Sequence, residues 1–193
     1  MGRGSIMAYK DETLTFASDK IYYTVEDFGE MEVMMDWEDA IMKASADYVC
    51  ENGGDILEIG FGMGISAGYI QANSITSHII VELHPQIIEK AKAWAIGKSN
   101  VTIVEGDWYD IKDSLSTYNG VFYDTWGEED WSRFGSNIAS LVKPGAKVTW
   151  WNNNKDATTI QNIENVEYET INVNPPSNMY FNSNKYYLPK KQY

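Results

Sequence analysis

Residues 55–65 read DILEIGFGMGI and carry the two signals that decide the fold. The apolar run Asp55–Ile59 is short and bounded by glycine, which is typical of a buried strand. Three glycines between Gly60 and Gly64 then join this run to a helical pattern. Glycine permits positive φ and lets a ligand approach the backbone, and the first amides of a helix lack partners within the helix. The stretch therefore predicts a strand–turn–helix unit with a ligand site at the turn.

The rest of the chain alternates between strand-like and helix-like patterns. Further apolar runs of strand length lie at 78–83, 101–104, 121–123 and 146–151, with helical spacing between them. Because strands separated by helices form parallel sheets with crossover connections, the alternation predicts a doubly wound α/β fold. Two later runs, 166–174 and 179–188, flank a Pro-Pro-Ser-Asn turn and predict a hairpin. The expected architecture is a mostly parallel, seven-stranded Rossmann-like sheet with a C-terminal antiparallel hairpin.

Length and patterning predict a single folded domain behind a short leader. A chain of 193 residues has an ordinary size for one domain. Residues 1–30 are polar and aromatic with no clear period, so we interpret them as a flexible leader. With Phe16, Tyr22 and Tyr23 this leader is a candidate lid. Residues 31–193 are assigned to the domain.

Charge and composition disfavour several functional classes. Lys and Arg total 15 against 28 Asp and Glu, which gives a net charge of −13. This charge repels phosphate backbones, so we expect no nucleic-acid partner. No apolar run approaches the roughly 18–20 residues of a membrane helix, so we expect no membrane partner. The lone Cys50 allows no internal disulfide and favours a cytoplasmic location. Monomer and homodimer both remain open.

The spacing of the glycines distinguishes between two kinds of cofactor. A dinucleotide site has the pattern G-x-G-x-x-G. Here the third glycine, Gly64, comes one position early, and Ile65 stands in the last slot. A G-x-G-x-G turn preceded by an acid, here Glu58, resembles the turn of S-adenosylmethionine binders, whose ligand has no phosphate. We therefore expect S-adenosyl-L-methionine as cofactor and S-adenosyl-L-homocysteine as its product.

Acidic residues stand at or just past predicted strand ends, where doubly wound sheets bind their ligands. Glu82 ends the strand after the glycine turn, where a carboxylate can accept hydrogen bonds from both ribose hydroxyls. Asp107 ends the next strand beside Trp108, and together they can hold the adenine amino group and ring face. Each acid alone is equally a solvated strand end. Their register with the glycine turn favours the cofactor site.

The residue types near this site narrow the chemistry to carboxylates. The sequence has no Pro-Cys pair and no metal-ligand spacing, which disfavours cysteine-dependent and metal-dependent methylation. His84 lies beside the expected ribose site, a poor position for a base. Asp124 at the tip of the fourth strand and Glu38 remain, and two carboxylates with aromatic walls suit a guanidinium or ammonium group. For Glu38, an exposed acid in a first helical turn is an equally valid interpretation.

Three passages resemble the guanidinoacetate N-methyltransferase family and its arginine-methylating relatives. They are Val33–Glu38 (VMMDWE) with Met42, Leu57–Met63 (LEIGFGM) and Tyr123–Thr125 (YDT). These are similar to the family's V-M-x-x-W-E, E-[IV]-G-F-G-M and Y-D-T motifs. The tail, VNPP at 173–176 followed by Tyr180 and Phe181, is similar to the family's final hairpin. The likeness covers about residues 30–190 and implies a methyltransferase sheet, N-methylation and a small guanidino or amine substrate.

The resemblance also implies roles for individual residues. It implies that Glu38 and Asp124 hold the guanidinium and that Asp124 accepts its proton. After the fifth strand, where the family holds the substrate carboxylate, this chain has Asn152–Lys155 in place of the family's T-S, and Asn154 and Lys155 are the candidates there. The residues implied to contact the cofactor are Met34, Met42, Gly60, Phe61, Gly62, Met63, Gly64, Ile65, Glu82, Leu83, His84, Trp108 and Asp124.

Two other functions stay open at this point. Asn174-Pro175-Pro176-Ser177 is similar to the N-P-P-[YF] motif of enzymes that methylate the amino group of adenine or glutamine. That motif belongs after the fourth strand, where this chain has Tyr123–Trp126, and its aromatic residue is replaced by Ser177. A catalytically silent cofactor-binding module that regulates a partner is the other alternative.

Overall fold

A central sheet of seven strands organises the chain. The structure is a computed structural model that describes residues 6–128, 130, 132–152 and 162–193. The strands are β4 (Asp55–Ile59), β5 (Ser77–Glu82), β6 (Val101–Glu105), β7 (Tyr118–Tyr123), β8 (Val142–Trp150), β9 (Glu167–Asn172) and β10 (Lys185–Gln192). They lie in the order β6-β5-β4-β7-β8-β10-β9, with the first five parallel and β10 antiparallel to both neighbours. The predicted Rossmann-like sheet with an antiparallel end is confirmed.

Helices lead into the first parallel strand and connect the parallel strands to one another. They are α2 (Asp39–Val49), α3 (Ile65–Ala72), α4 (Pro85–Ala95), α5 (Trp108–Ile111) and α6 (Ser132–Asn137). Helix α4 shows why they begin where they do: Pro85 occupies the first helical position and the His84 ring accepts the Gln86 N–H at its N-terminus. A 3₁₀ turn, Asp36–Glu38, directly precedes α2.

The first part of the chain is folded and packs beside the cavity described below. Helix α1 (Ile6–Asp11) precedes an antiparallel sheet of β1 (Thr15–Phe16), β2 (Lys20–Val25) and β3 (Gly29–Met35). The boundary that we expect after residue 30 falls inside β3, because β2 and β3 pair across it from Gly29 to Met35. Phe16, Tyr22 and Tyr23, which show no helical period, belong to strands β1 and β2 of this sheet.

The sheet is covered by apolar clusters that hold the strand ends in place. One contains Ile41, Met42 and Val49 of α2 with Phe122 and Leu188 of the sheet. A second, built around Leu57, Val121, Trp108, Phe134 and Trp150, contains the stacked pair Tyr123–Phe134 at 4.2 Å. Each Å² of apolar surface that such clusters remove from water stabilises the fold by roughly 25 cal/mol.

The C-terminal hairpin begins later than its sequence pattern indicates. The pattern predicts a strand at Met179–Leu188, but β10 begins at Lys185. The Asn178 side chain explains the difference, since its Oδ1 accepts the N–H groups of Tyr180 (3.0 Å) and Phe181 (2.7 Å). These amides therefore belong to a turn and are not free to join the ladder. The turn carries Tyr180 toward the cavity.

Candidate active site

A cavity of about 520 Å³ opens at the carboxyl ends of β4, β5 and β7. This volume lies within the usual range for small-molecule and cofactor sites. Its position is the one that doubly wound sheets use for ligands. The sequence-predicted site residues that line it are Met34, Glu38, Gly60, Phe61, Gly62, Glu82, Leu83, Asp107, Trp108 and Asp124.

Five other predicted cofactor residues do not line the cavity. Met42 is fully buried in the α2 cluster. Ile65 and Met63 pack against the apolar core, although the Met63 N–H donates to Met34 Sδ. Gly64 forms the left-handed N-cap of α3, and the buried His84 caps α4 and packs on the Tyr9 ring. The turn presents Gly60–Gly62 to the cavity, and the five residues lie behind this lining; their contact with the cofactor stays a prediction.

The predicted substrate residues after the fifth strand, Asn154 and Lys155, lie outside the described residues. Asn152, just before them, is buried, and its backbone N–H donates to the Tyr186 hydroxyl at 2.9 Å. The chain therefore leaves β8 anchored to β10.

The glycine turn and Asp124 fit together closely. Gly60 has a φ of +94°, and a Cβ at this position would lie 1.8 Å from the carbonyl oxygen of Asp124. The Asp124 N–H in turn donates to Ile59 O at 2.9 Å. A side chain at position 60 would push these two strand ends apart, so glycine is needed both for backbone conformation and for space.

Glu82 braces the glycine turn. One carboxylate oxygen accepts the Phe61 N–H, and the other accepts the N–H groups of Leu83 and His84, each at 2.8 Å. Burial raises the pKa of Glu82 above its usual range, and these backbone donors oppose that rise. A carboxylate has about four acceptor positions, so capacity remains for a ribose hydroxyl, and that contact stays a prediction.

A third acid, Glu128, joins Asp107 and Trp108 in the wall. Asp107 Oδ1 accepts the Tyr109 N–H at 2.9 Å and so caps α5. Trp108 donates its indole N–H to Glu128 Oε2 at 3.2 Å. Glu128 is absent from the residues predicted from the sequence, because its position in a loop after β7 has no pattern of its own.

Glu38 is buried in the cavity wall. This burial decides between the two interpretations of Glu38, as an exposed acid of a first helical turn or as a carboxylate of the site. Its exposed fraction is 3%, so it is not a solvated acid of a helical turn. Its Oε1 accepts the Met35 N–H at 2.8 Å and the Tyr180 hydroxyl at 2.6 Å. Burial, and next the charge of Asp124, raise the pKa of Glu38 to about 8.

Asp124 lies at the tip of β7 and lines the same cavity. Burial in the wall raises its pKa to about 7, with smaller contributions from the charges of Glu58 and Glu82. Two carboxyl groups with raised pKa values facing one cavity favour a cationic ligand, because a bound cation lowers both values.

Aromatic side chains wall the cavity near Glu38. Trp126, Trp151 and Tyr180 line it, and Tyr180 lies against Trp37 with ring centroids 6.1 Å apart. Flat aromatic faces suit a planar cation. These residues come from the β7 and β8 ends and the tail, and of the three only Tyr180 is named in the motifs of the resemblance.

Helix α1 and the N-terminal sheet supply further wall residues, of which the sequence indicates only Tyr23, as part of the candidate lid. Tyr9, Tyr23, Met31 and Val33 line the cavity. This segment is tied down by the bond from His84 Nε2 to Glu12 O and by that from Leu14 N–H to Gln86 Oε1. Its action as a lid stays a prediction.

The chain matches a known family over most of its length. Residues 8–172 match the family described as Guanidinoacetate N-methyltransferase. The chain belongs to this family. The resemblance inferred from the VMMDWE, LEIGFGM and YDT passages is thereby confirmed, and so is S-adenosylmethionine as the cofactor.

Curated relatives carry a more specific name. Protein arginine N-methyltransferase 2 of Yarrowia lipolytica is 32% identical over 200 residues, covering 89% of this chain and 41% of the relative. The Aspergillus oryzae protein of the same name is 36% identical over 154 residues, covering 75% of this chain and 36% of the relative. The chain thus spans about two fifths of the length of these relatives.

Solved structures with the same fold are far more distant in sequence. Spermidine synthase from Thermotoga maritima superimposes with a TM-score of 0.66 at 10% identity, covering 93% of this chain and 72% of that one. The N-methyltransferase NodS of Bradyrhizobium japonicum, in complex with S-adenosyl-L-homocysteine, gives 0.63 at 13% identity, covering 81% and 87%. These likenesses show the fold.

The wall residues fit S-adenosylmethionine. Carboxylates of Glu82, Asp107 and Glu128 offer acceptors for hydroxyl and amino groups, and the backbone of Gly60–Gly62 is open to the cavity. One buried acceptor, Glu128 Oε1, has no hydrogen-bond partner among the residues described. Within the same part of the chain, no cluster of His, Cys, Asp or Glu is arranged to hold a metal ion, and no helix is long and apolar enough to cross a bilayer.

Proposed function

We propose that this chain is an S-adenosylmethionine-dependent N-methyltransferase that modifies a guanidino group. The main support for this proposal is that Glu38 and Asp124 line one cavity and that the charge of Asp124 helps to raise the pKa of Glu38. Two carboxylates so placed are costly without a cation between them. A guanidinium group offers five N–H donors in one plane and can satisfy both.

The residues around the pair position this cation. Tyr180 and Met35 hold Glu38 Oε1, which fixes the orientation of the carboxylate plane. Trp126 and Trp151 line the same cavity, and their aromatic rings can contact a planar guanidinium. Such positioning converts the encounter of nucleophile and methyl donor into an intramolecular step.

Asp124 is the proton acceptor in this proposal. When bound, the cofactor supplies an electrophilic methyl group on its sulfonium. A guanidinium nitrogen has no free lone pair until it loses a proton, and an Asp124 oxygen would take that proton. The methyl carbon would pass from sulfur to this nitrogen, and the electron pair of the broken carbon–sulfur bond would stay on the sulfur of S-adenosyl-L-homocysteine. A base whose pKa is about 7 is matched to this task near neutral pH.

The molecule that carries the guanidino group is the finer question. Guanidinoacetate, which gives the family its name, also has a carboxylate. The cavity wall contains five carboxylates and no Lys or Arg among the described residues. Arginine within a protein, the substrate class in the relatives' name, carries no carboxylate close to its guanidinium. The negative charge of the wall therefore makes arginine within a protein the second candidate substrate. For guanidinoacetate, Lys155 remains the candidate partner of its carboxylate.

The two alternatives left open by the sequence receive less support. Asn174–Ser177 lies in the connection between β9 and β10 and contributes no described residue to the cavity wall, as an amino-methylating motif would. A silent module has no need for a buried, costly pair such as Glu38 and Asp124.

The test is methyl transfer from labelled S-adenosylmethionine to a panel of acceptors. The panel contains guanidinoacetate, arginine, an arginine-containing peptide and, as a neutral isostere, citrulline. We expect transfer to at least one guanidino compound and none to citrulline, whose urea group leaves the two carboxylates unpaired. Transfer to none of the guanidino compounds, in a sample that binds S-adenosyl-L-homocysteine, would overturn the proposed function and leave the cofactor assignment intact.

A further inference from the structure

Glu128 is a buried acid with one satisfied and one unsatisfied oxygen. Its exposed fraction is 7%, and it lines the cavity with Asp107 and Trp108. Oε2 accepts both the Trp108 indole N–H (3.2 Å) and the Tyr123 hydroxyl (2.8 Å). Oε1 has no hydrogen-bond donor within the described ranges, and Arg133 Nη1 lies 3.7 Å away, beyond hydrogen-bond distance.

A buried carboxylate oxygen without a donor costs stability unless a ligand supplies the donor. Burial raises the pKa of Glu128, and the two donors to Oε2 oppose that rise by stabilising the ionised form, in which Glu128 can only accept. The neighbouring acid, Asp107, already uses Oδ1 to cap α5. Of these two acids, Glu128 is therefore the one with a buried carboxylate oxygen that accepts no hydrogen bond.

We propose that Glu128 is the specificity residue for the purine, accepting an N–H of the 6-amino group of the cofactor's adenine through Oε1. The ligand class is a 6-aminopurine nucleoside, and a 6-oxopurine would place oxygen against oxygen. Among cofactor residues, the sequence pattern points only to Asp107 and Trp108 for the adenine. The inference rests on the cofactor and is independent of the methyl acceptor.

The Trp108–Tyr123 pair makes the proposal testable by a change of one atom. In Glu128→Gln, the amide oxygen must stay at the Oε2 position, because the Trp108 indole can only donate and an amide NH₂ cannot accept. The amide NH₂ then takes the Oε1 position. A donor replaces an acceptor there, so the preferred purine changes from 6-amino to 6-oxo.

The experiment is calorimetric binding of S-adenosyl-L-homocysteine and S-inosyl-L-homocysteine, with no methyl acceptor present. In the wild type we expect the adenosyl ligand to bind about 10- to 100-fold more tightly. In Glu128→Gln we expect this ratio to fall by about tenfold or more, or to invert. Glu89→Gln, which removes one charge from the exposed face of α4, should keep the wild-type ratio.

Several outcomes would overturn the proposal. They are a wild-type ratio near one, an unchanged ratio in Glu128→Gln, and a change that appears only in Asp107→Asn. If thermal unfolding shows that Glu128→Gln does not fold, Glu128→Ala serves as the second variant. It should lose the preference without reversing it, and a full wild-type ratio in this variant would equally overturn the assignment.

Discussion

The hydroxyl of Tyr180 donates a 2.6 Å hydrogen bond to Oε1 of Glu38, which lies 142 positions earlier in the chain. The bond joins the turn before β10 to the corner between β3 and α2. Because the Met35 N–H donates to the same oxygen, Glu38 is held from both sides. The tail of the chain thus completes a carboxylate site that the first third of the chain begins.

Tyr180→Phe should lower kcat/KM for the guanidino substrate by about 10- to 100-fold at pH 7, the usual value of a hydrogen bond to a charged group. The Tyr180 hydroxyl lowers the pKa of Glu38, so its loss should raise that pKa further and move the activity profile to higher pH. Steady-state kinetics from pH 6 to 9 measure this shift. Tyr69→Phe, which removes an exposed hydroxyl–carboxylate bond to Asp39, is the matched control. Equal profiles for wild type and Tyr180→Phe would count against the role of Tyr180.

The pH dependence of wild-type activity should follow the carboxylate pair. The raised pKa values of Asp124 (about 7) and Glu38 (about 8) predict that kcat/KM rises as pH increases through 7 and 8. A bound guanidinium lowers both pKa values, so the limb in kcat should lie at lower pH than the limb in kcat/KM. If kcat and kcat/KM both rise at pH 4–5, the two carboxyl groups are already ionised without a bound cation, which would contradict the prediction.

The same groups predict a trend in stability. Their pKa values are higher in the folded chain than in the unfolded one, so their contribution to stability is complete below about pH 4 and is lost as pH rises through 7 and 8. Urea unfolding of the ligand-free chain should show this loss reduced in an Asp124→Asn, Glu38→Gln double variant. An identical pH trend in that variant would contradict the prediction.

Glu82→Gln should weaken binding of S-adenosyl-L-homocysteine by about 1–3 kcal/mol. In this variant the amide NH₂ would face at least one of the backbone N–H groups that now donate hydrogen bonds to Glu82. Because two donors cannot bond to each other, the turn at Phe61 would loosen. Calorimetric titration gives the affinity, and a thermal scan of the same sample separates loss of binding from loss of fold. Unchanged affinity would remove Glu82 from the cofactor site.

Gly60→Ala tests the contact between the turn and the tip of β7. The substitution should lower the free energy of unfolding by more than about 2 kcal/mol, because it combines positive φ with a clash against Asp124. Gly97→Ala is a suitable control, since Gly97 has a φ of +82° but a Cβ added there would meet no atom within 4 Å. Equal losses in urea unfolding would mean that the turn yields to the added methyl group.

The parts of the site that local patterns encode could be predicted from the sequence. Gly60 and Asp124 follow apolar runs of strand length, so the hydrophobic pattern and the glycine spacing locate both residues at the ends of strands. The seven-stranded sheet follows from the same alternation. Its antiparallel end is correctly predicted as a hairpin, but the start of β10 is not, because the Asn178 side chain takes amides that the pattern assigns to a strand.

The remaining parts depend on tertiary approach and have no local signal. Tyr9 lies in α1 and Tyr23 in β2, and they line the cavity only because the N-terminal part of the chain packs against it. Glu128 follows a strand by several residues, and its role is visible only through the donors Trp108 and Tyr123. Met42 shows how burial separates a motif residue from the cavity wall, since it lies on the buried face of α2 and its cofactor contact stays a prediction.

The most direct test of the central claim is methyl transfer from labelled S-adenosylmethionine to the best guanidino acceptor by wild type, Asp124→Asn and Glu89→Gln, at saturating cofactor and pH 7.5. We predict that Asp124→Asn lowers the rate by about 10²–10⁴-fold, the usual contribution of a positioned base, while Glu89→Gln retains it. Asp124→Asn should keep its fold and its affinity for S-adenosyl-L-homocysteine. A wild-type rate in folded Asp124→Asn would contradict the role of Asp124 as the proton acceptor.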